Sequence, residues 1–323
     1  MSFFNSIGNN NGSKEASFAD LLNVKEIIID QRSYIGESAG KTFGSKWADI
    51  PNVYDIILPE GNSAGVRYQA TERSSWWGRC MCTPNHEVSL GLKAVEKGAA
   101  NGSGMDIVTV NKPFRCCCPA VTPLCQKEIS VTKNGHGHMR GSAGGNRVLG
   151  RVRQPLCGGC FTPTLDVYGG GAEADASAAV GVITGPSCCI GGFYSSDFSV
   201  RSSSGAPIAS IRRLRATSGN GVARSMFTDA DRYQVKFAAG GEEDELDSEN
   251  KLVVLSAALM LDYMFFEGET DWQFNADQWP PKCSCKCCDL YCCGGMVPMR
   301  CNFDCSDSKA KAKAKAEKVK NKR

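Results

Sequence analysis

Leu252-Val253-Val254-Leu255-Ser256-Ala257-Ala258-Leu259-Met260-Leu261-Asp262-Tyr263-Met264-Phe265-Phe266 is the stretch on which the fold turns. Leu, Ala and Met favour helix and no Gly or Pro interrupts them, so the segment reads as a helix over about 252–266. It is apolar on every side, and such a helix needs apolar surroundings all round, in a protein core or a bilayer. At about 15 residues it is shorter than the ~20 that cross a hydrocarbon layer, and Asp262 would sit in lipid. Burial inside protein is the favoured reading, with a membrane span as the alternative.

Working outward, the chain before this helix reads as strand after strand. Tyr54 to Leu58 and Val66 to Ala70 flank the turn signal Glu60-Gly61-Asn62-Ser63. Val148 to Val152, Val180 to Ile183 and Phe198 to Val200 repeat the theme. Tyr233, Val235 and Phe237 alternate with Arg232, Gln234 and Lys236, the pattern of a strand with one buried face. Lys97 to Gly104, Lys133 to Asn146 and Gly169 to Ala179 are rich in Gly, Ala, Ser or Asn without apolar periodicity and read as loop insertions. Cys-rich turns around Cys80-Met81-Cys82 and Cys188-Cys189 hint at an internal duplication.

The composition agrees with a β-rich chain. Its 35 glycines and 13 prolines, spread over 323 residues, favour many turns and short strands. A net charge of +3 with 22% charged residues does not mark a nucleic-acid binder, and no nucleic-acid partner is expected. The 18 cysteines follow a start, Met1-Ser2-Phe3-Phe4-Asn5-Ser6, that lacks the features of a secretory signal, so a reducing, cytoplasmic setting is expected. Ser2 excludes N-myristoylation, and the last residues carry no prenylation box.

Covalent catalysis finds no machinery. Gly36-Glu37-Ser38-Ala39-Gly40 and Gly61-Asn62-Ser63-Ala64-Gly65 match the nucleophile-elbow string but lack its strand-before, helix-after context. His86, His136 and His138 are the candidate bases, and the last two lie in a Gly-rich insertion. Gly36 to Thr42 has one residue too few for a phosphate-binding loop. A non-enzyme is expected.

Several segments, in order from about Phe18 to Phe274, together resemble the phospholipid scramblase family. They are Lys112-Pro113-Phe114-Arg115-Cys116-Cys117-Cys118-Pro119, Arg153-Gln154-Pro155-Leu156-Cys157 and Ile183-Thr184-Gly185-Pro186-Ser187-Cys188-Cys189. Ala223-Arg224-Ser225-Met226-Phe227-Thr228-Asp229-Ala230-Asp231 and the helix end Leu261-Asp262-Tyr263-Met264-Phe265-Phe266-Glu267 complete the set. The resemblance implies a mainly β, tubby-like fold: a closed antiparallel barrel of about twelve strands around one buried hydrophobic C-terminal helix. Closure leaves no exposed strand edge, which agrees with the reading from the residues. The expected organisation is a disordered tail over 1–16, the barrel domain over 17–274 and a Cys-rich, Lys-rich tail over 275–323.

The resemblance also implies calcium-responsive movement of phospholipids between leaflets, in both directions and without ATP. Its calcium segment begins here at Asp229 and Asp231, two carboxylates on one side of an extended chain. Tyr233, Gln234 and Gly240 depart from a calcium-loop pattern. Two readings stay open: weak calcium binding aided by the acids of 242–247, or strand-end aspartates beside a solvated loop.

The triplet Cys116-Cys117-Cys118 matches the family's S-palmitoylation position. Stable anchoring needs a second signal. Cys283, Cys285, Cys287, Cys288, Cys292, Cys293, Cys301 and Cys305 can supply it, with the basic residues Lys309, Lys311, Lys313, Lys315, Lys318, Lys320, Lys322 and Arg323 attracted to an anionic leaflet. Thiolate zinc, with Cys288/Cys292 and Cys301/Cys305 as the spaced pairs, is the rival for the C-terminal cluster, and the lysine run also fits a nuclear-localisation-like or solvated tail. Two functions are carried forward. One is a phospholipid translocator at the cytoplasmic face of the plasma membrane or an internal membrane. The other is an acyl-tethered, tubby-like module that binds membrane or protein without moving lipid.

Overall fold

In the computed structural model the described residues are 21, 24–32, 51–59, 65–75, 86–95, 105–115, 125–135, 146–170, 179–187, 189–190, 196–214, 232–238, 246–266, 272–275, 282–293 and 295–304. The strands before the helix are β1 (Glu26–Gln31), β2 (Val53–Leu58), β3 (Gly65–Glu72), β4 (Val88–Ala94), β5 (Val108–Lys112), β6 (Glu128–Lys133) and β7 (Arg147–Arg153). They continue with β8 (Thr164–Gly169), β9 (Ala179–Thr184), β10 (Cys189–Ile190), β11 (Asp197–Ser202), β12 (Pro207–Arg213) and β13 (Arg232–Phe237). Helix α1 (Ser248–Leu261) runs into a π-helical turn, Asp262–Phe266, and β14 (Trp272–Asn275), β15 (Lys282–Cys292) and β16 (Gly295–Asp304) follow.

Twelve strands close into an antiparallel barrel in the order β1-β13-β12-β11-β9-β8-β7-β6-β5-β4-β3-β2, as the family resemblance implies. Chain neighbours pair in space, and closure comes from β13 laid against β1, with Ile29 opposite Tyr233 and Ile27 opposite Val235. Strand alternation sorts the two faces. Tyr54, Ile56 and Leu58 of β2 and Tyr233, Val235 and Phe237 of β13 are buried, while Arg232 and Lys236 are exposed. The same holds for Asp197, Ser199 and Arg201 of β11 and for Ser210 and Arg212 of β12, all exposed. A wall polar on this outer face suits water, since a lipid-facing barrel carries the reverse arrangement. The insertions read over 97–104, 133–146 and 169–179 fall between β4 and β5, β6 and β7, and β8 and β9.

The helix fills the barrel. Every residue from Lys251 to Phe266 is buried, so the apolar surroundings demanded on all sides are supplied by the inner face of the strands. Asp247 caps the helix start, its Oδ1 accepting from the Asn250 N–H at 2.7 Å. Ser256 hides its hydroxyl by donating to the Leu252 carbonyl at 2.8 Å. The helix packs tightly on β7, where a methyl on Gly150 would stand 2.6 Å from Val253 Cγ2 and 2.5 Å from the Tyr168 carbonyl oxygen.

Within the stretch read as a Cys-rich, Lys-rich tail, Lys282–Cys292 and Gly295–Asp304 are strands. Strands β14, β15, β16 and β10 form a second, four-stranded antiparallel sheet. The physical reason is a hairpin: Cys292 pairs with Gly295, and Cys293, at φ 49°, begins the turn. Gly294-Gly295 after it is a hairpin signal that the cysteine count overshadows.

Candidate functional site

The polar end of the buried helix is one part of the site. Asp262 is buried inside the barrel, and its carboxyl accepts from Tyr54 Oη at 2.6 Å and Tyr233 Oη at 2.7 Å. Tyr263, the next residue, donates to Glu72 Oε2 at 3.0 Å. Glu72 also accepts from the Asn52 N–H at 2.8 Å and from Ser74 Oγ. Its other oxygen lies 3.6 Å from His86 Nε2, and both side chains are buried. Lys112, buried at the end of β5, donates to the His86 carbonyl at 2.5 Å. The π-helical turn thus delivers two successive polar side chains to partners on β2, β3 and β13, and such turns recur at functional sites.

Beside this network, a surface cleft of about 420 Å³ is lined by residues that follow β3, open β4 and follow β5, among them Arg73, His86, Ser89 and Phe114. Sequence reasoning weighed His86 only as a catalytic base, read Tyr54 and Tyr233 only as strand residues and did not single out Glu72. The available signal was Asp262: a carboxyl on an apolar helix requires buried donors.

The β15–β16 hairpin is the second part. Tyr291 is fully buried, accepts from Gln154 Nε2 at 3.1 Å and donates to the Gly158 carbonyl at 2.6 Å. Its ring meets Phe265 edge-on at 5.7 Å, so the hairpin is docked on the barrel at the π-helical end. The Cys293 N–H donates to the Cys160 carbonyl at 2.8 Å and ties the hairpin turn to the loop after β7. That loop exposes Leu156 and Phe161 over more than half their surface, and the hairpin does the same with Val297 and Met299. Val297 stands opposite the exposed Leu290. Both joined elements thus carry exposed apolar side chains at this end of the barrel.

Thiols lie in this same region. Among the described residues, the non-glycine residues with positive φ are Cys157, Cys160 and Cys293. Cys157, Cys160, Cys292 and Cys293 are free. Cys292 Sγ lies 3.7 Å from Cys293 Sγ, and that contact, with partial burial, raises the Cys293 thiol above its ordinary range.

The sequence-predicted residues distribute unevenly. Cys283, Cys285, Cys287 and Cys288 lie along β15, and Cys292 closes it. Cys285 is the register partner of Cys301, Cys288 that of Met299, and Cys292 that of Gly295. Cys116, Cys117, Cys118, Asp229, Asp231, Cys305, Lys309, Lys311, Lys313, Lys315, Lys318, Lys320, Lys322 and Arg323 fall outside the described residues. Positions that a wrapped calcium loop would use after Asp231 are strand: Tyr233 points inward to Asp262, and Gln234 donates to Glu26 at 2.6 Å. They do not fit such a loop. Among the described residues, no three His, Cys, Asp or Glu side chains are placed to hold a metal ion, and no helix is long and apolar enough to cross a membrane.

Fold and site together define a helix-filled β-barrel with a docked apolar, thiol-bearing hairpin. Residues 51–268, more than half the chain, match the Scramblase family model, and the chain belongs to that family. It is 26% identical over 235 residues to human "Phospholipid scramblase 1", covering 71% of this chain and 60% of the relative. Against human "Phospholipid scramblase family member 5" it is 27% identical over 246 residues, 75% of this chain and 73% of the relative. Bovine "Phospholipid scramblase 2" gives 26% over 223 residues, 67% of this chain and 61% of the relative. The chain thus covers less than two thirds of the length of two of these three. No solved structure matches.

Proposed function

We propose that this protein moves phospholipids between the leaflets of a membrane, in both directions and without ATP, by a route that involves no covalent step. The observation that carries the reading is the family match over 51–268, which takes in the barrel wall from β2 onward and the whole sheathed helix. The obstacle to lipid movement is the headgroup, whose charges and hydrogen bonds go unsatisfied in hydrocarbon. The barrel interior is filled by the helix, so a headgroup cannot pass through it. The route therefore runs along the outside of the protein, where a polar wall held against lipid shortens the hydrocarbon path.

Attachment is assigned to the hairpin end. Leu290, Val297, Met299, Leu156 and Phe161 enter the interface of an anionic leaflet, with acyl chains on Cys116–Cys118 and on cysteines of 283–293 and the basic residues of 309–323 as further anchors. The extended hairpin favours acylation over a four-thiolate zinc site. Cys292 and Cys301 lie six rungs apart, about 20 Å at ~3.3 Å per residue, whereas zinc holds its sulfurs at about 2.3 Å. The setting is the cytoplasmic face of the plasma membrane or an internal membrane. Calcium responsiveness is assigned to Asp229 and Asp231 as a weak site.

The filled barrel favours one second reading, an acyl-tethered module that binds membrane or protein without moving lipid. Reconstitution decides between them. Liposomes carrying the protein and an inner-leaflet fluorescent lipid should lose signal to an external quencher faster than empty liposomes. Calcium should raise the rate, and Asp229→Ala/Asp231→Ala should blunt that rise. A rate equal to empty liposomes, with the protein bound, leaves the binding module.

A further inference from the structure

We propose that Cys292 and Cys293 form a redox site: a vicinal dithiol that a hydroperoxide closes into a disulfide and a small thiol reopens. Both residues lie beyond 268, so the family match does not account for them.

The hairpin turn makes the pair. Successive side chains of a strand point to opposite faces, so extended backbone after Cys292, the last residue of β15, would carry the next thiol away from it. Cys293 instead takes φ 49°, in the left-handed region, and its Sγ stands 3.7 Å from Cys292 Sγ. Rotation about the side-chain bonds brings two sulfurs in contact to the ~2.05 Å of a disulfide. The turn is held from both sides. Tyr291 is buried and bonded to Gln154 and to the Gly158 carbonyl, and the Cys293 N–H donates to the Cys160 carbonyl at 2.8 Å. The sulfur contact therefore belongs to the docked hairpin and not to adjacency alone. Both thiols are free and half-buried, which leaves surface for a small oxidant.

The chemistry balances within the pair and its oxidant. The Cys292 contact raises the Cys293 thiol above its ordinary range, so Cys293 keeps its proton while Cys292 attacks first. The Cys292 thiolate takes one oxygen of the hydroperoxide and becomes a sulfenic acid. The O–O bond breaks, and the other oxygen leaves with the proton that Cys292 gave up, as water or an alcohol. Cys293 sulfur then attacks Cys292 sulfur, the S–O bond breaks, and hydroxide leaves with the Cys293 proton as water. Two thiols have lost two electrons, which the O–O bond has taken up. Neighbouring Cα atoms are ~3.8 Å apart, below the ~4.4 Å at which ordinary disulfides begin, so the ring is strained and readily reduced. While closed, it withdraws these two thiols from acylation. That consequence rests on the proposed anchoring, whereas the bridge does not.

For the test, the full chain is reduced, freed of reductant and treated with hydrogen peroxide, and the remaining thiols are blocked with maleimide. Cleavage after Tyr291 and Arg300 releases Cys292–Arg300, whose cysteines are Cys292 and Cys293 alone. Its thiols should disappear about fivefold sooner than those of Cys157 and Cys160, leaving a peptide two hydrogens lighter that dithiothreitol restores. In urea, with the turn undone, that lead should vanish. With Cys293→Ser, a 1,3-diketone should trap sulfenic acid on Cys292 about fivefold more than on Cys293 in Cys292→Ser. Phosphatidylcholine vesicles with and without phosphatidylcholine hydroperoxide separate the sources: closure by the lipid form assigns a membrane oxidant, and closure by hydrogen peroxide alone assigns a soluble one. A peptide that keeps both thiols with every oxidant, is bridged to a different cysteine, or leads equally in urea overturns the proposal. Equal trapping in the two variants overturns the order of attack. A failed lipid-movement assay would leave the bridge standing.

Discussion

Asp262 shows at the scale of one residue how a polar group is reconciled with an apolar core. Its carboxyl is held by hydroxyls from opposite edges of the closure, Tyr54 on β2 and Tyr233 on β13. Hydrogen bonds to an ionisable group contribute more than neutral ones, and removing the shared acceptor leaves two hydroxyls buried without it. Asp262→Ala should therefore destabilise the protein by about 3–5 kcal/mol. Tyr233→Phe, which removes one donor and keeps the ring, should cost about 1–2 kcal/mol. Urea denaturation checks both. Equal losses for the two variants would show that Asp262 is not the hub.

Elements differ in how they are held. Helix α1 is held by burial on every face, so no single contact defines its position. The β15–β16 hairpin, by contrast, is fastened through Tyr291, Gln154, Phe265 and the Cys293–Cys160 backbone bond. Tyr291→Ala removes two hydrogen bonds and a buried ring, a loss of about 3 kcal/mol. The expected outcome is at least tenfold faster amide hydrogen exchange across β15 and β16, with the exchange of β4 to β7 unchanged. Unaltered exchange in the hairpin would mean that Tyr291 does not fasten it.

For the whole molecule, the consequence is a barrel filled by its own helix and an end that exposes apolar side chains. Ala257 is fully buried at the helix centre and Leu290 is exposed on the hairpin. With thiol labelling mapped by peptide mass spectrometry, Leu290→Cys should react with maleimide in water and slow at least fivefold on anionic vesicles, as an apolar face enters the interface. Ala257→Cys should stay unlabelled in both conditions. Labelling of Ala257→Cys that appears only with vesicles would mean that the barrel opens on the membrane, and the outside route for lipid would fall with it.

Much of this architecture is legible in local sequence. Period-two alternation at 233–237 names a strand and its buried face, and an uninterrupted Leu/Ala/Met run at 252–266 names a helix that must be enclosed. Both are patterns that a few neighbouring residues suffice to write. The partners of Asp262 are not legible, because Tyr54 lies 208 residues away and meets it through the register of many strands and the closure of β1 on β13. The docking of the β15–β16 hairpin, where Tyr291 meets Gln154 from 137 residues away, and the buried surroundings of His86 belong to the same class. The sequence by itself determined that a greasy helix sits in a shell of strands; only the tertiary structure decided which side chains answer its carboxyl, which thiols end up beside exposed apolar groups and where a cleft opens, since these depend on residues brought together by closure rather than by succession.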